Sequence, residues 1–253
     1  MIQLKNSAQI SAMKEAGRIT GEALLKAREY VREGVSTKEL DTVIREYIER
    51  SGAKPSFLGY AGFPASACIS INDEVIHGIP SAKRILREGD IVKIDVGAFY
   101  KGFHGDSART IPVGKVSDEA IKLIKVTRDS FFAGASMLKV GNRIGDVGSA
   151  IQECVEKEGF SVVRRYIGHG VGRELHEQPD VPNSGTAGRG TRLCAGMTLA
   201  IEPMVNTGTE SVYEMPDGWT VKTADKGLSA HYENTVAITS DGIIITTLID
   251  KYW

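Results

Sequence analysis

The second half of the chain matches the first at a constant offset of 107 residues, and this internal repeat constrains the fold more than any other feature. The matches include helix-ending glycines and an acid within an apolar strand, which a chance alignment of apolar residues would not preserve. The matched pairs are Gly34 and Gly141, Ile44 and Ile151, Glu49 and Glu156, Gly52 and Gly159, Gly89 and Gly196, Ile94 and Ile201, and Asp95 and Glu202. The repeat predicts two similar halves, about 1–115 and 116–253, whose pseudo-two-fold arrangement brings Asp95 and Glu202 towards one shared site.

Both halves show the same order of elements, a pair of helices followed by strands. Apolar residues three and four positions apart predict helices at 7 to about 33, 36–52, 117–138 and about 144–159. The second helix begins at a capping box of Ser36 and Glu39, and the third carries Ile121 and Phe132 on its apolar stripe. The predicted class is therefore α+β. Strands are expected at 67–71, 91–97, 107–113, 162–167, 198–202, 233–239 and 243–249, and a surface loop at 179–192.

Composition excludes several classes of protein. The 31 Lys and Arg residues nearly balance the 32 Asp and Glu residues, so no polybasic partner surface for nucleic acid is expected. Three distant cysteines, Cys68, Cys154 and Cys194, indicate a reducing compartment rather than a disulfide framework. No run approaches the roughly 18 apolar residues of a membrane span. These features predict a cytoplasmic protein, and the short connection 112–117 predicts one domain over 1–253.

Two aspartates mark the first candidate site. Asp95 lies inside the apolar run 91–97, and Asp106 opens the next strand. A hairpin centred on Tyr100 and Lys101 would place the two carboxylates directly opposite each other, with Cβ atoms about 5 Å apart. Like charges in that position destabilise a sheet, so the pair requires a cation, a shared proton or water.

The second half adds three side chains of the same kind. Glu202 ends an apolar strand and Glu233 begins one, and burying such carboxylates is costly unless they are paired. His169 stands between glycines at the end of another apolar strand, where the backbone can approach closely. Four convergent carboxylates and one imidazole would suit a two-metal site in which Asp and Glu bridge the ions.

These residues resemble the ligand series Asp, Asp, His, Glu, Glu of the methionine aminopeptidases, and segments 68–80, 168–172 and 217–221 resemble other motifs of that family. The resemblance spans nearly the whole chain. It implies the pita-bread fold, with an antiparallel sheet and two helix pairs, and two divalent ions (Co, Mn, Fe(II) or Zn). His169 and Glu202 are 33 residues apart, which leaves no room for the helical insertion of the type II enzymes. The chain therefore resembles the short bacterial type I form.

The resemblance also implies roles for further residues. Glu202 would shuttle a proton, His176 would stabilise an oxyanion, and His77 would orient the substrate backbone. The positions that match the methionine pocket are Tyr60, Phe63, Cys68, Leu175 and Trp219. Three residues depart from common family choices, namely Leu175, Phe57 and Ala61. Asn72, Glu74 and Ser229 match positions that bind a monovalent cation, Na or K, in some members. Outside the matched ligand positions, His104 is expected at the surface, and His231 is expected at most to lie behind the ligands without binding metal.

The resemblance implies removal of the initiator methionine from nascent polypeptides with a small second residue. Two alternatives remain open at this stage, an X-Pro aminopeptidase and a non-catalytic pita-bread protein that binds peptides or ribosomes. We expect a monomer that contacts nascent chains, with possible ribosome association, and no nucleic-acid or membrane partner.

Overall fold

The structure is a computed structural model, and it describes residues 1–249. Within them the chain forms four α-helices, close to the predicted ranges: α1 (Ser7–Tyr30), α2 (Thr37–Arg50), α3 (Asp118–Ser136) and α4 (Ile144–Glu156). The capping box predicted for α2 is present, since the Ser36 side chain accepts from the Glu39 N–H and the Glu39 carboxylate accepts from the Ser36 N–H.

Short strands make up the rest of the fold. Those of the first half are β1 (Lys54–Pro55), β2 (Ala67–Ile71), β3 (Glu74–Ile76), β4 (Ile91–Tyr100) and β5 (Phe103–Pro112). Those of the second half are β6 (Ser161–Val162), β7 (Gly168–Gly170), β8 (Glu177–Val181), β9 (Thr198–Ile201), β10 (Met204–Asn206), β11 (Val212–Glu214), β12 (Val221–Thr223), β13 (Ser229–His231), β14 (Asn234–Thr239) and β15 (Gly242–Ile245). In the two main sheets β4 lies between β2 and β5, and β9 lies between β7 and β14, all antiparallel.

Two predicted segments were wrong. The strand expected at 162–167 shrinks to the two residues of β6. The expected loop 179–192 begins inside a strand, because β8 pairs with β7 through Gly168 and Val181. Pro179 is compatible with that strand because β8 is an edge strand, where a missing N–H breaks no ladder.

The predicted repeat is visible in backbone geometry. The N–H of Gly34 donates to the Leu86 carbonyl at 2.9 Å, and 107 residues later the N–H of Gly141 donates to Leu193 at 3.0 Å. The matched glycines Gly89 and Gly196 have φ angles of 93° and 92°, a left-handed conformation that favours glycine. The repeat therefore reflects equivalent hydrogen bonds and turns in the two halves.

Each half has its own apolar core between its helix pair and its main sheet. In the first half Leu24 and Ile44 pack with strand residues such as Ile69 and Ile94. In the second half α3 and α4 pack on β9 in an equivalent cluster, which includes Phe131, Val147, Ile151, Leu199 and Ile201. Two members of the predicted α3 stripe are outside it, since Ile121 is 55% exposed and Phe132 is 37% exposed. No helix among residues 1–249 is long and apolar enough to cross a membrane.

The two halves meet along β5 and the start of β14. Asp106 donates its N–H to the Thr235 hydroxyl at 2.9 Å, and that hydroxyl donates to the Asp106 carbonyl at 3.0 Å. Three residues further along β5, the buried Arg109 guanidinium donates to the Asn234 side chain at 2.8 Å. The acids predicted from each half consequently lie beside this junction.

Candidate metal centre

The hairpin that carries both aspartates has a different register from the predicted one. Asp95 pairs with Ala108, and Asp106 pairs with Gly97. The two-residue turn is Lys101 and Gly102, whose φ angles of 49° and 84° suit the tight turns that match strand twist. Because the turn moves by one residue, Asp106 faces the second residue beyond Asp95. The two carboxylates therefore remain on one face of the sheet as diagonal neighbours.

The second half brings one imidazole and two carboxylates to the same place. His169 lies in β7 opposite Ala200 of β9, Glu202 follows β9 directly, and Glu233 precedes β14 by one residue. Nε2 of His169 is 3.7 Å from Oδ2 of Asp106 and 3.6 Å from Oε1 of Glu202. One ligand atom from each of Asp106, His169 and Glu233 lies within 4.8 Å of the others.

Burial leaves these acids poorly compensated within the protein. Desolvation raises the pKa of Asp106 to about 7, and it raises the pKa of Asp95, Glu202 and Glu233 well above their usual range, with the neighbouring carboxylates adding to the effect. The buried Oδ1 atoms of Asp95 and Asp106 have no hydrogen-bond partner. A cluster of this kind fits divalent cations, which would neutralise the charge and use the unpartnered oxygens.

The orientation of His169 fits the same role. Its Nδ1 lies 2.8 Å from the Gly170 carbonyl, which can only accept, so Nδ1 carries the proton. Desolvation lowers the pKa of His169 to about 3, so the ring is neutral near pH 7. Nε2 therefore presents a lone pair towards the carboxylates, the arrangement found in metal-binding histidines.

One cavity of about 130 Å³ contains the acids and the predicted pocket residues. All twelve predicted site residues line it: Tyr60, Phe63, Cys68, His77, Asp95, Asp106, His169, Leu175, His176, Glu202, Trp219 and Glu233. The cavity thus places an apolar wall beside the acid cluster.

Comparison with known proteins also indicates a metal-dependent enzyme. Residues 11–240 match the model of metallopeptidase family M24. The chain is 55% identical over 249 residues to a methionine aminopeptidase of Clostridium perfringens, covering 98% of this chain and 100% of that relative. The chain belongs to metallopeptidase family M24.

Solved structures of M24 proteins have the same fold. A methionine aminopeptidase from Thermotoga maritima is 45% identical, with a TM-score of 0.96 over 98% of this chain and 99% of that one. A prolidase from Pyrococcus furiosus is 25% identical, with a TM-score of 0.78, and the chain covers 66% of its length. The predicted pita-bread fold and the predicted kinship with the methionine aminopeptidases are confirmed.

Within this M24 cavity, two histidines lie close to the acids. Nδ1 of His176 is 2.7 Å from the Tyr60 hydroxyl, and the His176 ring centre is 4.1 Å from that of His169. His77 stands edge-on to Trp219, with ring centres 6.4 Å apart, and desolvation lowers its pKa to about 4. Desolvation lowers the pKa of His176 as well, so both rings are neutral near pH 7.

Two further histidines, His104 and His231, lie outside the predicted ligand positions. The expectation that His104 lies at the surface was wrong, because its ring is half-buried against Phe99 and its Nδ1 lies 2.8 Å from the Ser56 hydroxyl. His231 is buried near the acids as expected, with Nε2 3.9 Å from an oxygen of Glu202 and from one of Glu233. Neither nitrogen of His231 has a hydrogen-bond partner.

Phe57 is a cavity residue that was expected only to differ from the residue common in the family, not to lie in the methionine pocket. It lines the cavity and packs with Phe63, Cys68 and Leu175. Its position depends on Gly97 of β4, because a Cβ at Gly97 would lie 2.8 Å from the Phe57 ring. The sequence signal for this position was Gly97, whose lack of a side chain lets the Phe57 ring pack closely against β4.

Proposed function

We propose that this M24 enzyme removes the N-terminal methionine of polypeptides whose second residue is small. The observation that carries the proposal is one cavity in which five side chains suited to metal binding adjoin an apolar wall of Phe57, Phe63 and Trp219. A thioether side chain against that wall would place the first peptide bond beside the acids. The methionine aminopeptidases among the relatives support this substrate.

Five residues would hold two divalent ions. Asp95 would bind one, His169 and Glu202 would bind the other, and Asp106 and Glu233 would bridge them. The ions, when bound, would supply a water acidified enough to attack near neutral pH. The donor set of carboxylates and one imidazole suits Co, Mn, Fe(II) or Zn.

The chain's own groups would then handle the substrate. Glu202 would carry the proton from the attacking water to the leaving amine. His176, neutral and fixed through Nδ1 by Tyr60, would donate to the developing oxyanion from Nε2. His77 would orient the backbone of the substrate. The contacts with the apolar wall would select methionine.

We further propose one catalytic domain over 1–253 that acts on nascent chains in the cytoplasm, as a monomer and with ribosome association. The hydrogen bonds that join the halves at Asp106 and Thr235 support the single domain. The free cysteines Cys68, Cys154 and Cys194 support a reducing compartment.

The test measures release of free methionine from Met-Ala-Ser, beside Met-Lys-Ser and Ala-Pro-Ser. Protein stripped of metal is assayed after resupply with Co, Mn, Fe(II) or Zn. We expect cleavage of Met-Ala-Ser that depends on added metal, with much slower cleavage of Met-Lys-Ser. Asp106→Asn should abolish it, while the exposed Asp180→Asn serves as the matched control.

Other outcomes would select an alternative. Cleavage of Ala-Pro-Ser in place of Met-Ala-Ser would identify an X-Pro aminopeptidase. Metal binding without turnover of any of the three peptides would support a peptide-binding protein.

A further inference from the structure

Lys93 is a buried lysine that the proposed reaction does not use. It lies in β4 two residues before Asp95, and it is 1% exposed. Its ammonium donates to the carbonyl oxygen of Asn72 at 2.7 Å. A buried charge needs compensation, so the surroundings of this ammonium indicate what the site is built to hold.

The nearby acids are bound to other partners. Glu74 forms an ion pair with Arg84, and Asp73 lies 3.0 Å from the ammonium of Lys222. Asp90 accepts from the Asn72 side chain at 2.7 Å. Among residues 1–249, no carboxylate forms an ion pair with Lys93, although the fields of these acids oppose the desolvation that lowers its pKa to about 7.

The Asn72 carbonyl is held in place from several sides. Asn72 has a φ angle of 51°, its side-chain oxygen accepts from the Ile91 N–H at 2.9 Å, and its carbonyl also accepts from the Ser229 N–H at 3.0 Å. The Lys93 ammonium thereby connects β4 with the turn after β2 and with β13. A carbonyl oxygen fixed in this way is the type of ligand that binds Na⁺ or K⁺.

We propose that the ammonium of Lys93 takes the place of a monovalent metal ion at Asn72, so that this chain needs neither Na⁺ nor K⁺ there. Asn72, Glu74 and Ser229 are the positions at which the family resemblance implied such an ion. A lysine ammonium carries the same single positive charge and three donors, and it is tethered to β4. The ammonium thus fills the position that a Na⁺ or K⁺ ion would take at the Asn72 carbonyl oxygen.

The test compares thermal unfolding in NaCl, KCl and tetramethylammonium chloride at matched ionic strength, because the last cation is too large for the site. It is run at about pH 6, where the Lys93 side chain, with a pKa of about 7, is mostly protonated. The Tm of the unmodified protein should agree in all three salts. Lys93→Asn removes the ammonium and leaves the Asn72 carbonyl oxygen with only its hydrogen bond from the Ser229 N–H, so one lone pair is open to a cation. Its Tm should be lower in tetramethylammonium chloride and should rise by about 5 °C in saturating Na⁺ or K⁺.

Two further variants separate the missing cation from general damage. Lys93→Met removes the charge but keeps the bulk, so its Tm should fall without recovery in Na⁺ or K⁺. Lys5→Asn combined with Glu177→Gln removes another buried lysine together with its carboxylate partner, so no buried anion is left for a cation, and this variant should likewise show no cation-specific recovery.

The proposal would be overturned by a Tm of the unmodified protein that rises by several degrees specifically in Na⁺ or K⁺. A folded Lys93→Asn protein with equal Tm values in all three salts would overturn it too. If Lys93→Asn does not fold, the proposal is decided by whether the Tm of the unmodified protein differs among the three salts. The readout is stability, so the result does not depend on which peptide the enzyme cleaves.

Discussion

Ala108 and Glu233 exchange two backbone hydrogen bonds, with N···O distances of 3.3 Å from Ala108 N–H and 2.9 Å from Glu233 N–H. One residue belongs to the first half of the chain and the other to the second. The Glu233 carbonyl also accepts from the Ser107 hydroxyl at 2.6 Å. The backbone of Glu233, a proposed bridging ligand, is therefore fixed by the strand that carries Asp106. These bonds fix the positions of the Asp106 and Glu233 carboxylates relative to each other.

The contact between Tyr60 and His176 should matter for catalysis. When the Tyr60 hydroxyl donates to Nδ1, the proton of the neutral ring is on Nε2, where it can donate to an oxyanion. His176→Ala should lower kcat/KM about 100-fold. Tyr60→Phe should lower it about 10-fold, mainly through kcat. In the His176→Ala background Tyr60→Phe should add little, and full additivity of the two losses would contradict this role.

The pH dependence of stability should differ between metal-free and metal-loaded protein. Raised acid pKa values mean that the metal-free native state binds more protons than the unfolded state, so its free energy of unfolding falls as pH rises through those values. The buried neutral histidines His77, His169 and His231 act in the opposite direction below about pH 6.5. Above pH 7 the buried Lys93 also acts in the opposite direction, because desolvation lowers its pKa to about 7. Lys93 acts in this way in both forms, so the contribution of the acids is the difference between metal-free and metal-loaded protein from about pH 7 upwards.

Urea unfolding at about pH 7 and about pH 8.5 measures this difference. Between the two values metal-free protein should lose stability relative to metal-loaded protein, because bound cations keep the carboxylates ionised at both pH values. Calorimetry in buffers of different ionisation enthalpy should show proton release on metal binding. Equal slopes for the two forms would be inconsistent with acids that hold protons in the metal-free state.

The buried ion pair of Lys5 and Glu177 should hold the loop that carries His176. Both side chains are buried, and Glu177 also accepts from the Arg173 N–H at 2.8 Å. Lys5→Met leaves an unpaired buried carboxylate and should cost about 3–5 kcal/mol of unfolding free energy. Lys5→Met combined with Glu177→Met should cost less than the sum of the single changes. Additive losses in chemical denaturation would show that the pair does not act as a unit.

Gly97→Ala should damage the pocket wall. Its Cβ would lie 2.7 Å from the Ser56 Cβ and 2.8 Å from the Phe57 ring, so the segment that carries Phe57 must move. We expect a rise in KM for Met-Ala-Ser of about 10-fold, with a smaller change in kcat. Gly185→Ala is the matched control, because its nearest neighbour would be 3.8 Å away. An unchanged KM in a folded Gly97→Ala protein would show that the wall tolerates the shift.

Local signals predicted the helices and the repeat well. The capping box at Ser36 is satisfied by neighbours three residues away, so its geometry does not depend on the rest of the fold. The offset of 107 residues succeeded for a related reason, because turn glycines such as Gly89 and Gly196 report backbone angles directly. Phe132 was misplaced because apolar character alone does not require burial.

Register and pairing depend on distant contacts and were harder to predict. The turn at Lys101 and Gly102, rather than at Tyr100 and Lys101, follows from which residues accept positive φ in the folded hairpin. Moving the turn by one residue changes the partner of each strand residue by two positions. Asp95 and Asp106 therefore stay on the same face of the sheet despite the error. Lys93 is recognisable in the sequence as a lysine within an apolar strand. Its partner, the Asn72 carbonyl, lies in the turn after β2, so the contact could not be predicted from the strand alone.

The division of the acids between the halves bears on how such a site could originate. Asp95 and Asp106 come from one repeat, and Glu202 and Glu233 from the other, so a chain of half this length would hold two acids beside an open edge. Two identical half-length chains could close that edge by pairing as a homodimer. Fusion of the two copies would then free each repeat to diverge, which allows one half to contribute His169 and the other half to contribute Lys93.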